Sequence, residues 1–268
     1  MTDSETESIK SMTQKEKEQH FVDLFNQKQG NLNKDGFDCK KCLNKGQIAI
    51  LFETSGHFHE GKTFCECVGI RKMIRNAKES GFGDLLEHKL KNFTVKKDWQ
   101  KNLLSLAESY LASDLKCWFA VIGQSGAGKT MICSGICNQL LKRYKKVKYM
   151  SWVEFTETMK HLSFDDDKDE YFNGYANAEI LYIDDLYKTS VSFDDFGKRK
   201  VNMTDVKYAF QLINQRYNKR LVTIISSELL LDELADVDEA IAGRIKERCE
   251  EYFFTIGRDS GRNFRFKG

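Results

Sequence analysis

Eight consecutive residues, Gly123, Gln124, Ser125, Gly126, Ala127, Gly128, Lys129 and Thr130, fit the pattern G-x-x-x-x-G-K-[ST]. Spaced glycines let successive backbone N–H groups converge on phosphate oxygens, and a helix starting there adds the positive end of its dipole. The pattern sends Lys129 to the β- and γ-phosphates of a nucleoside triphosphate and Thr130 to its magnesium. Further along, EILYIDDLYK supplies the second anchor such a loop needs. There Asp184 closes an apolar strand and holds the magnesium through water, while Asp185 points differently and orients or deprotonates the attacking water. A third apolar run, LVTIISSELLLDE, ends in Ser226, Ser227 and Glu228, where a hydroxyl either senses the γ-phosphate or simply forms the turn. Arg244 and Arg248, four residues apart, share a helix face. They either reach a neighbouring subunit's phosphate or pair with Glu247 and Glu251 in solvent.

A second chemistry lies upstream. FDCKKC and FCEC place Cys39, Cys42, Cys65 and Cys67 in two close pairs. Four thiolates so spaced suit tetrahedral zinc, and a module this short needs a staple because it cannot bury enough core of its own. The second pair is tighter than usual, which leaves His57 or His59 as an alternative ligand. Cys117, Cys133, Cys137 and Cys249 fall in strand or helix patterns and read as buried core.

These residues need elements to hold them. CWFAVI, VKYMSW, EILYI, LVTIIS and EYFFTI read as five strands joined by helix-length segments, an α/β architecture with a five-stranded parallel sheet covered on both faces. The segment KTSVSFDDFGKRKVN is a loop whose Lys198, Arg199 and Lys200 are either solvated or in contact with DNA phosphates. Four regions follow along the chain: an N-terminal helical segment at 1–34, in which Phe21, Val22, Leu24 and Phe25 share a helical face, a zinc-binding module at 35–72, a linker at 73–100, and a nucleotide-binding domain at 101–268. Hydrophobic residues at 41% and a net charge of +2 fit a folded chain without a general affinity for nucleic acid. No signal peptide or apolar run long enough to span a membrane is read, so the expected location is the cytoplasm.

The order of these features, a CKKC…CEC module, then GQSGAGKT, LYIDDL, IISSELLLDEL and AGRIKERC, resembles the DnaC/DnaI-type replicative helicase loaders of bacteria and their phages. Those are AAA+ ATPases related to the IstB transposase helpers. The resemblance implies ATP/ADP, magnesium and zinc as cofactors, and as partners a hexameric DnaB-type replicative helicase, single-stranded DNA and further copies of the chain through the AAA+ domain. It makes Ser227 the sensor and Arg244 the arginine finger, with Arg248 behind it. Where such loaders commonly read T-S-N, this chain reads Ser226, Ser227, Glu228, so a sensor amide is missing. The alternative is an IstB-like helper ATPase acting on duplex DNA in transposition.

Overall fold

The computed structural model describes residues 12–193 and 199–264. Two compact units divide between Arg75 and Asn76.

In the first unit, helix α1 (Gln14–Gln27) starts at Thr13, whose hydroxyl accepts from the Glu16 N–H while the Glu16 carboxylate takes the Thr13 N–H. Strands β1 (Gln47–Thr54) and β2 (His57–Phe64) form an antiparallel hairpin around Gly56. The Asn26 side chain caps the hairpin, donating to the Ala49 carbonyl at 3.0 Å and accepting from its N–H at 2.9 Å. Of the apolar face expected on α1, only Val22 is buried; Phe21 and Leu24 stay exposed, and Lys45 and Lys62 lie over the Phe25 ring. Polar side chains, rather than a continuous apolar stripe, fasten this helix to the hairpin. Helix α2 (Cys67–Glu79) then runs out of the cysteine cluster.

The second unit is built on five parallel strands, β3 (Phe119–Gly123), β4 (Val147–Ser151), β5 (Ile180–Asp184), β8 (Val222–Ser227) and β9 (Phe253–Ile256). Their spatial order is β4-β5-β8-β3-β9, with Ile183 opposite Ile225 and Ile122 opposite Ser227. The central strands read as unbroken apolar runs because both faces are covered. Phe119, Val121, Tyr182 and Ile224 turn to one side, against Leu103, Tyr110, Ile132, Ile136 and Leu140 of helices α3 (Asp98–Ala112) and α4 (Lys129–Lys142). Ala120, Ile122, Leu181, Ile183 and Ile225 turn to the other, against α5 (Trp152–His161), α6 (Asp165–Ala176), α7 (Met203–Asn218), α8 (Leu231–Val237) and α9 (Glu239–Cys249).

Phe82, Leu90 and Phe93, from the stretch that reads as linker, are buried in the first of these layers. Cys133, Cys137 and Cys249 are buried in the core and Cys117 is half-buried. The described parts of the segment after the acidic pair, read above as a loop, form a small antiparallel ribbon, β6 (Val191–Phe193) with β7 (Arg199–Val201). Arg199 is paired with Asp236 at 2.8 Å, Lys200 is exposed, and Lys198 lies outside the described residues.

Far from the strand ends that carry the acidic pair, Arg216 of α7 is completely buried. Its guanidinium donates to the Thr223 hydroxyl and to the carbonyls of Tyr175, Ala176, Ala178 and Val222, tying α6, α7 and the start of β8 together.

Candidate functional site

In a doubly covered parallel sheet the crevice lies beyond the carboxyl ends of the strands, where the strand order reverses. Here β3, β5 and β8 end side by side at Gly123, Asp184 and Ser227. The loop after β3 is shaped by left-handed glycines. Gly123 has φ +105°, and a Cβ there would sit 2.1 Å from the Ile256 carbonyl oxygen of β9. At Gly126, φ +70°, a Cβ would fall 2.0 Å from Asn263 Oδ1. Only glycine fits such positions without moving backbone or neighbour. Helix α4 begins after Gly128, which offers no side chain to cap the first turn, so the N–H groups there are left for an anion.

Lys129 is buried and donates to the carbonyls of Gly123 and Gln124, both at 2.9 Å. Burial lowers its pKa, and the charges of Glu228 and Asp185 counter that shift in part. Thr130 Oγ1 donates to Asp184 Oδ1 at 3.0 Å, so the hydroxyl and the carboxylate that a magnesium ion would need stand together. Asp184 is itself held by hydroxyls: Tyr182 and Ser226 each donate to Oδ1 at 2.5 Å, and Tyr149 donates to Oδ2 at 3.2 Å. Burial pushes the Tyr182 phenol well above its ordinary pKa, which fixes it as a donor.

Asp185 takes a different direction because its backbone is left-handed, φ +56°, a conformation aspartate tolerates better than most residues. Its N–H donates to Ser226 Oγ at 2.9 Å, and its carboxylate meets Lys188 Nζ at 2.6 Å. The serine that touches the acidic pair is therefore Ser226. Ser227 Oγ donates instead to the Leu186 carbonyl at 2.8 Å and accepts from the Leu229 N–H, which closes the turn after β8. Glu228, in the place of the missing amide, accepts from Ser125 Oγ at 2.7 Å. Its burial raises the carboxyl pKa, but the Ser125 hydroxyl and the charges of Lys188 and Lys129 outweigh this and leave it below the usual range.

These groups surround a cavity of about 390 Å3, lined by Gly126, Gly128, Lys129, Thr130, Asp185 and Glu228 together with His88, Phe93 and Phe264. The last three carry no motif. Phe93 lies 3.0 Å from where a Cβ on Gly128 would be, and the Phe264 N–H donates to the Gly126 carbonyl at 2.9 Å. Arg244 and Arg248 do not line this cavity. Arg244 packs over the rings of Phe210 and Tyr217, at 5.3 and 5.7 Å, and Arg248 donates to the Lys116 carbonyl beside Trp118, at the start of β3.

In the first unit the four cysteine sulfurs all lie within 4.8 Å of one another and are buried. Cys39 and Cys65 sulfurs are 3.8 Å apart and those of Cys42 and Cys67 3.5 Å, close to the ~3.8 Å edge of a tetrahedron with metal–sulfur bonds of about 2.3 Å. The Gly46 N–H donates to Cys42 Sγ at 3.3 Å, and Asn44, itself held by Arg71, accepts from the Cys39 N–H at 2.8 Å. This donor set fits zinc. His57 and His59 are exposed on β2 and outside the cluster.

The family described as IstB-like ATP binding protein matches residues 70–251. The chain is 31% identical over 205 residues to YqaM of Bacillus subtilis (strain 168), spanning 73% of this chain and 63% of YqaM. To the phage-like element PBSX protein XkdC of the same strain it is 29% identical, over 87% of each. To the replicative helicase loader DnaC of Escherichia coli (strain K12) it is 27% identical, over 56% of this chain and 57% of DnaC. YqaM and DnaC are thus matched over less than two thirds of their length. The fold is that of the solved DnaC helicase loader, with a TM-score of 0.53 at 18% identity over 65% of this chain and 98% of that one. It is likewise that of DnaI, with a TM-score of 0.52 at 20% identity over 65% of this chain and 93% of that one. With an α/β P-loop core of AAA+ type and a match over most of its length, the chain belongs to the family of IstB-like ATP binding proteins.

Proposed function

We propose that this chain is an ATP-dependent loader of a hexameric, DnaB-type replicative helicase and that it helps place the helicase on single-stranded DNA. One observation carries the reading: Lys129, Thr130 and Asp185 line a single cavity, with Asp184 bonded to the Thr130 hydroxyl, in a chain similar to DnaC. In this reading the N–H groups of 125–130 and Lys129 grip the phosphates, and Thr130 and Asp184 hold magnesium, which when bound neutralises charge on the transferring phosphoryl group. Asp185 orients the attacking water and accepts its proton as the oxygen–phosphorus bond forms and the bond to ADP breaks. Arg244, remote from its own cavity, serves the site of a neighbouring copy. The Cys39–Cys42–Cys65–Cys67 module, stapled by zinc, and α1 grip the helicase.

The test is light scattering after size exclusion of the chain mixed with the replicative helicase of its host, with ATP, with ADP and without nucleotide. The Lys129→Ala and Cys39→Ser variants run alongside. A complex that survives Lys129→Ala but is lost with Cys39→Ser supports the reading. No complex under any condition overturns it and favours a helper ATPase on duplex DNA, a reading the IstB-like family match also supports. Preferential binding of long duplex over single strands is its signature.

A further inference from the structure

A purine base offers two flat faces and a polar edge, and the part of the cavity lining left over by the phosphate loop and the acids has groups to match. Phe93 and Phe264 both come up against Gly128, where a Cβ would stand 3.0 Å from one ring and 3.7 Å from the other. Aromatic rings accept any base, because every base has a π-face, so they hold a base without choosing one. Thr94 lines the cavity too, but a hydroxyl turns to donate or accept as its partner requires and is equally indifferent. Choice needs a polar atom whose role is fixed, and His88 brings one to the lining.

His88 is held at its backbone and at its ring. Its N–H donates to the Leu85 carbonyl at 3.1 Å, and its carbonyl accepts from the buried Asn138 amide of α4 at 2.7 Å. Its ring Nδ1 meets Ser134 Oγ, also of α4, at 2.6 Å. That serine oxygen stands 2.5 Å from the Thr130 carbonyl oxygen. Two oxygens so close need a proton between them, and only the serine has one to give, as helical serines do to the carbonyl four residues back. Ser134 then has only lone pairs left for His88, so Nδ1 carries the imidazole hydrogen. In the neutral ring this leaves Nε2 as an acceptor. Ser134 is fully buried behind the cavity lining, which leaves the Nε2 edge of the ring for the cavity.

We propose that His88 selects the base: its Nε2 accepts from the 6-amino group of adenine, and Ser134 is the positioning residue that fixes the ring in this role. The proposal rests on the nucleotide reading of the cavity and supplies what that reading leaves open, how adenine is told from guanine. In an adenine nucleotide the base has N–H donors only on its 6-amino group, so a fixed acceptor has one place to pair. Guanine puts a carbonyl oxygen at the same position. Two acceptors then face each other, and both are left without a hydrogen. The selection is made at the base, so it does not depend on how many phosphates follow.

The test is displacement of a fluorescent ADP by ADP, GDP and inosine diphosphate (IDP), all with magnesium. IDP has the 6-oxygen of guanine without its 2-amino group. The wild-type chain is expected to bind ADP at least about tenfold more tightly than either GDP or IDP. His88→Phe keeps a ring without an acceptor and is expected to bring the three within about threefold of one another. Ser134→Ala keeps the imidazole but frees its tautomer, and should narrow the gap by about threefold. An unchanged ratio in His88→Phe overturns the proposal while leaving the nucleotide site standing, and so does a wild-type chain that takes GDP or IDP as tightly as ADP. Should His88→Phe bind nothing, Ser134→Ala decides: a narrowed ratio supports the proposal and an unchanged one overturns it. A wild-type chain that binds none of the three overturns the nucleotide reading, and this inference with it.

Discussion

Replacing Ser226 by alanine removes one oxygen that serves both acids of the site. In the folded chain this hydroxyl donates to Asp184 Oδ1 at 2.5 Å and accepts from the Asp185 N–H at 2.9 Å, with no exposure to solvent. Losing a hydrogen bond to a charged group costs about 1.5–3 kcal/mol, and leaving a buried N–H unpaired costs about 1–3 kcal/mol. The Tyr182, Thr130 and Tyr149 hydroxyls remain on Asp184 and absorb part of the first loss. The expected destabilisation is therefore about 2–4 kcal/mol, which in a unit of this size lowers Tm by roughly 5–15 °C. All three tryptophans, Trp99, Trp118 and Trp152, lie in the second unit, so urea unfolding followed by tryptophan fluorescence reports on that unit alone. Ser227→Ala is the matched control. It loosens the turn after β8 but leaves the acids untouched, so the magnesium dependence of nucleotide binding shifts in Ser226→Ala and not in Ser227→Ala. A Ser226→Ala chain within about 0.5 kcal/mol of wild type, with unchanged magnesium dependence, would refute the idea that this hydroxyl organises the acidic pair.

Two further outcomes follow from geometry. Gly123→Ala forces a Cβ against the Ile256 carbonyl and a left-handed backbone on alanine, so it should destabilise the second unit by more than about 2 kcal/mol in the same urea assay, even without nucleotide. The purified chain should release about one zinc per molecule when its thiols are titrated with a mercurial in the presence of a zinc dye, and Cys42→Ser should carry none.

The five strands were legible because β-branched and aromatic runs buried on both faces leave little room for another assignment. So was the phosphate loop, since its glycines and lysine fall within one run of eight residues. Asp184 and Asp185 were legible as a pair, but not the left-handed turn that separates their directions. Which serine faces the acids is decided by the two-residue alternation of β8 against β5, and an apolar run that ends in two adjacent serines leaves that phase open. Phe93, Asn263 and Phe264 reach the loop from segments without motif chemistry, so spacing could not have named them. The i, i+4 spacing of Arg244 and Arg248 gave their shared face, but the aromatic partners lie on another helix and on the strand entry. Glu228 stood out only as a departure, and its pairing with Lys188 is purely tertiary.

The closure of the phosphate loop onto the segment around β9 also has a temporal side. Gln124 accepts from the N–H of Asp259, 135 residues later in the chain, and the Gln124 N–H donates to the Ile256 carbonyl at 3.0 Å. Contacts so distant in sequence form late, because the intervening chain must first be made and ordered. A chain emerging from the ribosome therefore holds the whole GQSGAGKT motif long before it holds the loop's final shape. The ability to grip a nucleotide arrives only once β9 has joined the sheet, and nucleotide binding serves as a report that synthesis and folding of the second unit have reached their final strand.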